Sequence, residues 1–167
     1  FQNCSKELIF YTDSDGQFDI KDLDKLLPLL ANYDIVTGYR IARQDPQMRI
    51  WMAQIYRLVY RIIFGLNVRD IDCAFKLFKR EALKGMRLIT TIKTGVVNAE
   101  IYLKAMKWGF KLTETGVNHY PRLKGISSNE IGGHQNKFFA FVKPHVYLNF
   151  LEDTVKLWFD LRTYGKN

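Results

Sequence analysis

Short apolar segments that alternate with helical ones are the feature that most constrains the fold of this chain. The short segments are rich in β-forming side chains, as buried strands are, at residues 7–12, 34–37, 74–78 and 111–120. Helical segments are predicted at residues 20–30, 49–66, 81–86, 97–108 and 144–161. This alternation predicts an α/β fold with a mainly parallel sheet, in which ligands bind at the carboxyl ends of the strands.

An acidic turn follows the first predicted strand directly. Asp13 and Asp15 are two residues apart on it, so both carboxylates can face one ion, and Gly16 lets a ligand approach the backbone closely. Such oxygen ligands suit Mg²⁺ or Mn²⁺, and a diphosphate can supply the remaining ones. An ordinary solvated turn is the alternative. An EF-hand loop fits poorly, because Phe18 stands where that loop needs glycine.

The net charge of +8 over 167 residues indicates an anionic partner, which can be nucleic acid, an acidic membrane face or a phosphate-bearing substrate. No nucleic-acid motif is evident, and the basic residues are scattered, so nucleic acid is not expected. The two cysteines do not suggest a disulfide framework or a zinc site, and Cys73 is expected to be buried. No segment has the roughly 20 apolar residues of a transmembrane helix.

Two amphipathic segments are each compatible with two different surroundings. In residues 49–66 the polar side chains Gln54, Arg57 and Arg61 lie opposite an apolar face made of Trp51, Ile55, Leu58, Val59, Ile62 and Leu66. Such a helix can pack on a core with its arginines in solvent, or it can lie in the headgroup region of a membrane. The aromatic segment of residues 138–161 has the same two interpretations, with Leu148, Leu151, Val155 and Trp158 in helical register.

Five blocks in order resemble the family 2 glycosyltransferases, in the branch that includes dolichyl-phosphate mannose synthase and bacterial polyprenyl-phosphate glycosyltransferases. The blocks are the acidic turn and residues 34–40, 70–78, 98–100 and 120–127. Ala74 departs from the pattern, because the family usually has glycine there. The resemblance covers about residues 7–128. It implies a GT-A fold, a divalent metal (Mg²⁺ or Mn²⁺), and inverting transfer of a sugar from a nucleotide to a polyprenyl phosphate.

The resemblance also implies roles for single residues. Asp13 and Asp15 correspond to the DxD pair of metal ligands, with Gln17 as a further ligand. The residues expected to bind the acceptor or its phosphate are Arg40, Arg122, Lys124 and Ser127. A planar guanidinium with five donors suits a phosphate, which is the reason for giving this role to the arginines.

Three further acidic residues have expected roles near the acceptor. Asp70 or Asp72 orients the acceptor or acts as a base, with a surface turn as the alternative. An orienting or electrostatic role is favoured, because a phosphate acceptor is already anionic near neutral pH. Glu100 is expected to face the site from a helix as an acidic helper, and a solvated helix face is its alternative.

One departure from the family is large. Its members open with a strand and a segment that grips the nucleotide base, and nothing before Phe1 supplies them. We therefore expect the chain to be N-terminally truncated, which puts the activity of the isolated chain in question. Residues 1–133 are predicted to be the C-terminal part of a GT-A domain, and residues 134–167 an aromatic amphipathic helical tail.

The expected function is transfer of a hexose, mannose or glucose, from a nucleotide sugar to a polyprenyl or dolichyl phosphate. The expected location is the cytoplasmic face of a membrane, as a peripheral protein. Two alternatives stay open, a non-catalytic basic module that binds a membrane surface and a family 2 glycosyltransferase with a polysaccharide or protein acceptor. Dependence on a divalent metal separates the enzyme from the binding module.

Overall fold

A four-stranded sheet with helices on both faces forms the described part of the chain, residues 3–43, 45, 47–91, 94–121 and 144–165 of a computed structural model. The strands are β1 (Leu8–Thr12), β2 (Ile35–Ile41), β3 (Phe75–Lys79) and β4 (Leu112–Asn118). The helices are α1 (Leu23–Leu26), α2 (Gln47–Phe64), α3 (Val96–Lys107) and α4 (Pro144–Thr163). The predicted α/β class is confirmed, and each predicted strand is present within a few residues of its expected bounds.

The direction of β3 sets the topology of the sheet. The strand order is β1-β3-β2-β4, and β3 pairs antiparallel with both β1 and β2, whereas β2 and β4 are parallel. The strands β1, β2 and β4 therefore point the same way. Of the three pairings in the described sheet, however, two are antiparallel because both involve β3. The sheet is mixed rather than mainly parallel, because the apolar pattern of a short buried strand carries no information about its direction.

Helices cover each face of the sheet with a separate core. Ile35 and Phe78 point to one face and pack with side chains of α2, α3 and α4. Val36 and Leu77, the next residues along the strands, point to the other face and pack with Leu26 and Leu30.

The first and the shortest predicted helices differ from expectation in their geometry. Residues 20–31 are helical, but α1 has only four residues and is flanked by the 3-10 turns Ile20–Asp22 and Leu27–Ala31. Pro28 lies in the second turn and lacks the N–H that a continuous α-helix needs. The helix predicted at residues 81–86 is a 3-10 turn, Arg80–Ala82.

A glycine allows β2 to continue beyond its predicted end at Thr37. A Cβ atom on Gly38 would lie 2.7 Å from Cγ2 of Val117 on β4, so the two parallel strands approach too closely for any side chain at this position. The close approach lets β2 run on to Ile41. Arg40 is consequently held on a strand rather than on a loop.

α4 packs on the domain rather than standing apart from it. Leu157 is fully buried in the larger core, and the hydroxyls of Tyr60 and Thr154 are hydrogen-bonded at 2.9 Å. The Asp153 carboxylate accepts hydrogen bonds from the Thr91 backbone N–H and the Thr94 hydroxyl. The boundary between residues 133 and 134 lies outside the described residues and stays a prediction.

Both α2 and α4 also expose a row of large apolar side chains on the side away from the core. Four α2 side chains are 56–74% exposed and are called the α2 stripe: Trp51, Ile55, Leu58 and Ile62. Four α4 side chains are 54–64% exposed and are called the α4 stripe: Leu148, Leu151, Val155 and Phe159. The core side of α2 is instead aromatic, with Tyr60 fully buried and Tyr56 packed beside it. Packing of the apolar face of α2 on the core is therefore ruled out for these four residues. Among the described helices, none is both long enough and apolar enough to cross a bilayer.

Replacing Gly38 with alanine should destabilise the protein by about 1–3 kcal/mol, because the added methyl group would overlap Val117 and push β2 away from β4. Chemical denaturation of the purified protein measures this free energy of unfolding. Gly165→Ala is the matched control, since nothing lies within 4 Å of a Cβ at that position. Equal stability of the two variants would contradict the close approach of the strands.

Candidate active site

The reversed strand β3 brings four parts of the sequence to one edge of the sheet. Residues that precede β3 lie at the edge where β1, β2 and β4 end, because β3 runs against the other three strands. The acidic turn after β1 is linked to the end of β4 by the hydrogen bond from Tyr120 N to Gln17 O, at 2.9 Å. Burial raises the pKa of Tyr11, and the nearby charges of Asp13 and Asp72 raise it further. The acidic turn and the segment before β3 therefore flank the same tyrosine.

A bidentate ion pair joins β2 to the segment before β3. Arg40 Nε donates to Asp70 Oδ2 at 2.6 Å, and Arg40 Nη2 donates to Asp70 Oδ1 at 2.8 Å. Burial alone would raise the pKa of Asp70, but the hydrogen bonds and charge of Arg40 lower it below its usual value. Arg40 also donates to Asp45, at 3.3 Å. Asp70 is thus an ionised, buried anchor for Arg40.

Glu114 on β4 fixes the backbone of the same segment. Its two carboxylate oxygens accept hydrogen bonds from the Arg69 N–H at 2.8 and 2.9 Å. The guanidinium of Arg69 lies over the ring of Tyr39, 4.7 Å from its centroid. Residues 69 and 70 are therefore held from both neighbouring elements, by Glu114 through the backbone and by Arg40 through the Asp70 side chain.

An arginine-lined cleft of about 160 Å³ opens between β2, α2 and the segment before β3. Four arginines and two aspartates contribute to its wall, so its lining carries a net positive charge: Arg40, Arg43, Arg57, Arg69, Asp70 and Asp72. Tyr56 and Ile50 of α2 supply apolar surface beside them. A small anion such as a phosphate suits this combination of charge and size.

Asp72 is the half-buried carboxylate of the cleft. Its Oδ1 accepts a hydrogen bond from Asn98 Nδ2 at 3.2 Å, at the start of α3. Burial raises the pKa of Asp72, and the positive charge of Lys76 offsets part of that rise. Unlike Asp70, Asp72 has no arginine partner among the described hydrogen bonds. The two aspartates of this block therefore differ in role, with Asp70 bound to the protein and Asp72 facing the cleft.

The acidic turn offers hard oxygen ligands at the same edge. Gly16 has a φ of +76°, which favours glycine, and Asp15 Oδ1 accepts a hydrogen bond from Gln17 N at 3.1 Å. Gln17 Nε2 donates to Tyr120 O at 3.3 Å, which holds its side-chain amide against the end of β4. The carboxylates of Asp13 and Asp15 with the Gln17 amide fit Mg²⁺ or Mn²⁺ by their chemistry. In the described ranges, no cluster of three or more acidic, histidine or cysteine side chains could hold a metal.

Glu100 lies away from these groups, which corrects the expectation that it faces the site. Its side chain is fully buried, and the carboxylate accepts hydrogen bonds from Ile89 N at 2.8 Å, Thr90 N at 3.0 Å and Lys104 Nζ at 2.6 Å. These contacts fasten the segment before α3 to that helix. Burial also rules out the solvated face that was the alternative. Within the same sequence block, Asn98 is the residue that contacts Asp72.

Several residues of the site were not expected from the sequence, and three expected ones lie outside the described residues. Arg122, Lys124 and Ser127 fall in residues 122–143, so their roles stay predictions. The residues that sequence reasoning missed are Arg43, Arg57, Arg69, Lys76, Asn98 and Glu114. A lysine or glutamate inside a strand was an available signal, because a buried charge on a strand needs a specific partner. Cys73 is buried, as expected, and burial raises the pKa of its thiol to about 12.

Comparisons with known proteins identify relatives but no family model that matches the chain. Over 129 residues, 72% of this chain and 41% of the relative, the chain is 32% identical to glycosyltransferase AglJ of Haloferax volcanii. It is 28% identical to dolichyl-phosphate beta-glucosyltransferase ALG5A of Trichomonas vaginalis, over 82% of this chain and 42% of the relative. It is 24% identical to polyprenol monophosphomannose synthase of Mycolicibacterium smegmatis, over 69% of this chain and 46% of the relative.

The matched region is a part of each relative, since the chain spans less than half of the length of these three proteins. Two of these relatives are named as a glycosyltransferase and a glucosyltransferase, and the third is named as a polyprenol monophosphomannose synthase. These matches confirm the resemblance that the five motif blocks carry: the chain is homologous to part of several glycosyltransferases, among them proteins named for dolichyl phosphate and polyprenol monophosphomannose.

Proposed function

We propose that this chain contributes the metal-binding and acceptor-binding parts of an inverting glycosyltransferase, which moves a hexose from a nucleotide sugar to a polyprenyl phosphate. One observation carries the proposal. An acidic turn with hard oxygen ligands and an arginine-lined cleft lie at the same edge of the sheet, together with Asp72. The names of the relatives, one a dolichyl-phosphate glucosyltransferase and one a polyprenol monophosphomannose synthase, support mannose or glucose as the sugar.

The acidic turn would hold the metal. Asp13 and Asp15 are the carboxylate ligands in this proposal, and Gln17 contributes its amide oxygen. A divalent ion bound there neutralises the diphosphate that leaves with the nucleotide. The link between Gln17 and the end of β4 keeps the turn at the edge of the sheet, so the donor diphosphate is placed beside the cleft.

The arginine-lined cleft would bind the phosphate of the acceptor. Arg57 and Arg69 are exposed on its rim, whereas Arg40 already donates to Asp70 and Asp45. Arg40 therefore adds charge and fixes the wall, and the rim arginines make the direct contacts that lipid phosphate needs. Arg122, Lys124 and Ser127 remain proposed ligands of the same phosphate.

Asp72 would orient the acceptor oxygen rather than remove a proton from it. A phosphate monoester is already ionised near neutral pH, so its oxygen can attack the sugar without a strong base. We assign Asp70 a supporting role instead, because both of its oxygens already accept hydrogen bonds from Arg40. In this assignment Asp70 maintains the cleft, and Asp72 faces the reacting groups.

The α2 and α4 stripes would rest on the membrane that contains the acceptor. Eight large apolar side chains more than half exposed on two neighbouring helices are unusual for a water-facing surface. The net charge of +8 favours an anionic bilayer. Arg57 of the cleft and Leu58 of the stripe are consecutive residues of α2, so membrane contact would bring the cleft to the level of the lipid phosphates.

Asp15→Asn should lower the transfer rate at least ~100-fold, because it removes a charged metal ligand. The assay uses the complete protein in detergent, a panel of radiolabelled nucleotide sugars, a polyprenyl phosphate, and Mn²⁺ either present or chelated. Asp24→Asn, an exposed acidic residue of α1, is the control and should keep full activity. Lipid binding without transfer from any donor, unchanged by chelation, would instead favour the non-catalytic membrane module.

Arg57→Ala should raise the KM for polyprenyl phosphate about 10-fold, with a smaller effect on the KM for the nucleotide sugar. The loss corresponds to one charge-assisted hydrogen bond, about 1.5 kcal/mol. Initial rates at varied lipid concentration measure it. Arg61→Ala is the matched control, because Arg61 is exposed on the same helix and does not line the cleft. Equal effects of the two substitutions would count against the cleft as the acceptor site.

The double variant Ile55→Ser, Ile62→Ser should bind vesicles of phosphatidylserine and phosphatidylcholine at least ~10-fold more weakly. Burying one such side chain contributes about 1.5–3 kcal/mol, and serine removes nearly all of it. Co-sedimentation of the complete protein with vesicles measures the partitioning. The control is Ile20→Ser, Leu27→Ser, two exposed aliphatic residues in the helical segment that covers the other face of the sheet. Losses of similar size in both double variants would contradict docking through the α2 stripe.

A further inference from the structure

Lys76 is a buried cation in the middle of the sheet that the proposed mechanism does not use. It lies on β3, opposite Tyr11 of β1 and Thr37 of β2, and is 1% exposed. A charged amine in such surroundings is costly unless strong partners surround it, and burial lowers the pKa of Lys76. An apolar residue would fit the interior of a strand at less cost. The partners of Lys76 therefore indicate what it does.

A chain of two hydrogen bonds runs from Lys76 to Asp72. Lys76 Nζ donates to Asn98 Oδ1 at 3.0 Å, and Asn98 Nδ2 donates to Asp72 Oδ1 at 3.2 Å. Lys76 Nζ also donates to the backbone carbonyl of Cys73, the residue after Asp72. Lys76 is thus linked to the segment of Asp72 in two ways. It contacts the backbone of that segment directly at Cys73, and it reaches the Asp72 side chain through Asn98.

The chemistry of an ammonium group gives this chain its direction. Lysine has only donors, so the side-chain amide of Asn98 must turn its oxygen toward Lys76. The Asn98 NH₂ group then points at Asp72 and donates a hydrogen bond to its Oδ1. Asp72 Oδ1 favours the same orientation, because it can accept a hydrogen bond from the NH₂ group but not from the amide oxygen, so both ends of the pair fix the amide in one sense.

Gly95 lies against the Asp72 carboxylate on another side. A Cβ atom on Gly95 would lie 3.3 Å from Asp72 Oδ1, so the absence of a side chain there makes room for the carboxylate. Asn98, three residues later in the first turn of α3, approaches from the same helix. The Asp72 side chain is therefore enclosed by α3 and by the backbone that Lys76 holds, and the cleft lies beside it.

We propose that Lys76 and Asn98 are positioning residues that hold the Asp72 carboxylate in the orientation that faces the arginine-lined cleft. Neither contacts the substrate in this assignment, and each acts through Asp72. The inference rests on the proposed function, because it takes Asp72 to be the group that orients the acceptor.

The test is a set of single and double variants of the complete protein, assayed for sugar transfer to polyprenyl phosphate. Lys76→Met and Asn98→Ala should each lower kcat about 10-fold and change the KM values for both substrates less than about 2-fold. In an Asp72→Asn background, either substitution should cost less than about 2-fold further, because its effect passes through the missing carboxylate. Lys79→Met is the matched control, since Lys79 lies on the same strand but pairs with Asp34 at the other end of the sheet.

Two outcomes would overturn the inference. If either substitution lowered kcat by the same factor in the Asp72→Asn background as in the unmodified protein, Lys76 and Asn98 would act independently of Asp72. A higher KM with an unchanged kcat would show that these two residues shape a binding surface instead. Thermal unfolding identifies a variant that fails to fold. If Lys76→Met fails to fold, the comparison of Asn98→Ala with and without Asp72→Asn tests the inference by itself. Asn98 is only half-buried, so its substitution should leave the fold intact. Absence of transfer by the unmodified protein would refute the proposed function as well, whereas equal kcat losses in both backgrounds would refute this inference only.

Discussion

The antiparallel placement of β3 between β1 and β2 is the constraint on which the candidate site depends. Were β3 parallel to its neighbours, the residues before it would lie at the amino ends of the other strands, a strand length away from the acidic turn. A strand of five residues is about 17 Å long, which no side chain could bridge. Reversal instead puts Asp70, Asp72 and Arg40 of β2 at one edge, where the loops after three strands also converge.

The polar groups at this edge are organised as a series of anchors rather than as isolated charges. Arg40 holds Asp70, Glu114 holds the backbone of Arg69, and Lys76 holds the backbone of Cys73. Buried ion pairs such as that of Arg40 with Asp70 add little net stability compared with apolar side chains of the same volume. Their retention is better understood as fixing the geometry of a short segment that has no regular structure of its own.

The sequence predicted the strands and the longer helices because their periodic patterns are local properties. It also singled out the acidic turn, Arg40 and the pair Asp70 and Asp72, which stand in recognisable blocks and whose roles stay predictions. What it missed depends on partners far away in the chain: the direction of β3, the enclosure of Glu100 by residues 89 and 90, and the reach of Glu114 to Arg69 over 45 positions. The apolar face of α2 was found correctly, but an amphipathic pattern does not tell which side meets the core, and here the aromatic side does.

One helix carries both the rim of the cleft and the apolar stripe, and the thickness of that helix fixes the separation between them. An α-helix with its side chains is about 10–12 Å across. The headgroup layer of a bilayer is roughly 5–8 Å thick on each side. If α2 lies with its stripe among the acyl chains, the opposite side of the helix reaches just above the layer that contains the lipid phosphates. Under the proposed function, a polyprenyl phosphate would then need no extraction from the bilayer, and only the water-soluble sugar nucleotide would have to travel to the surface.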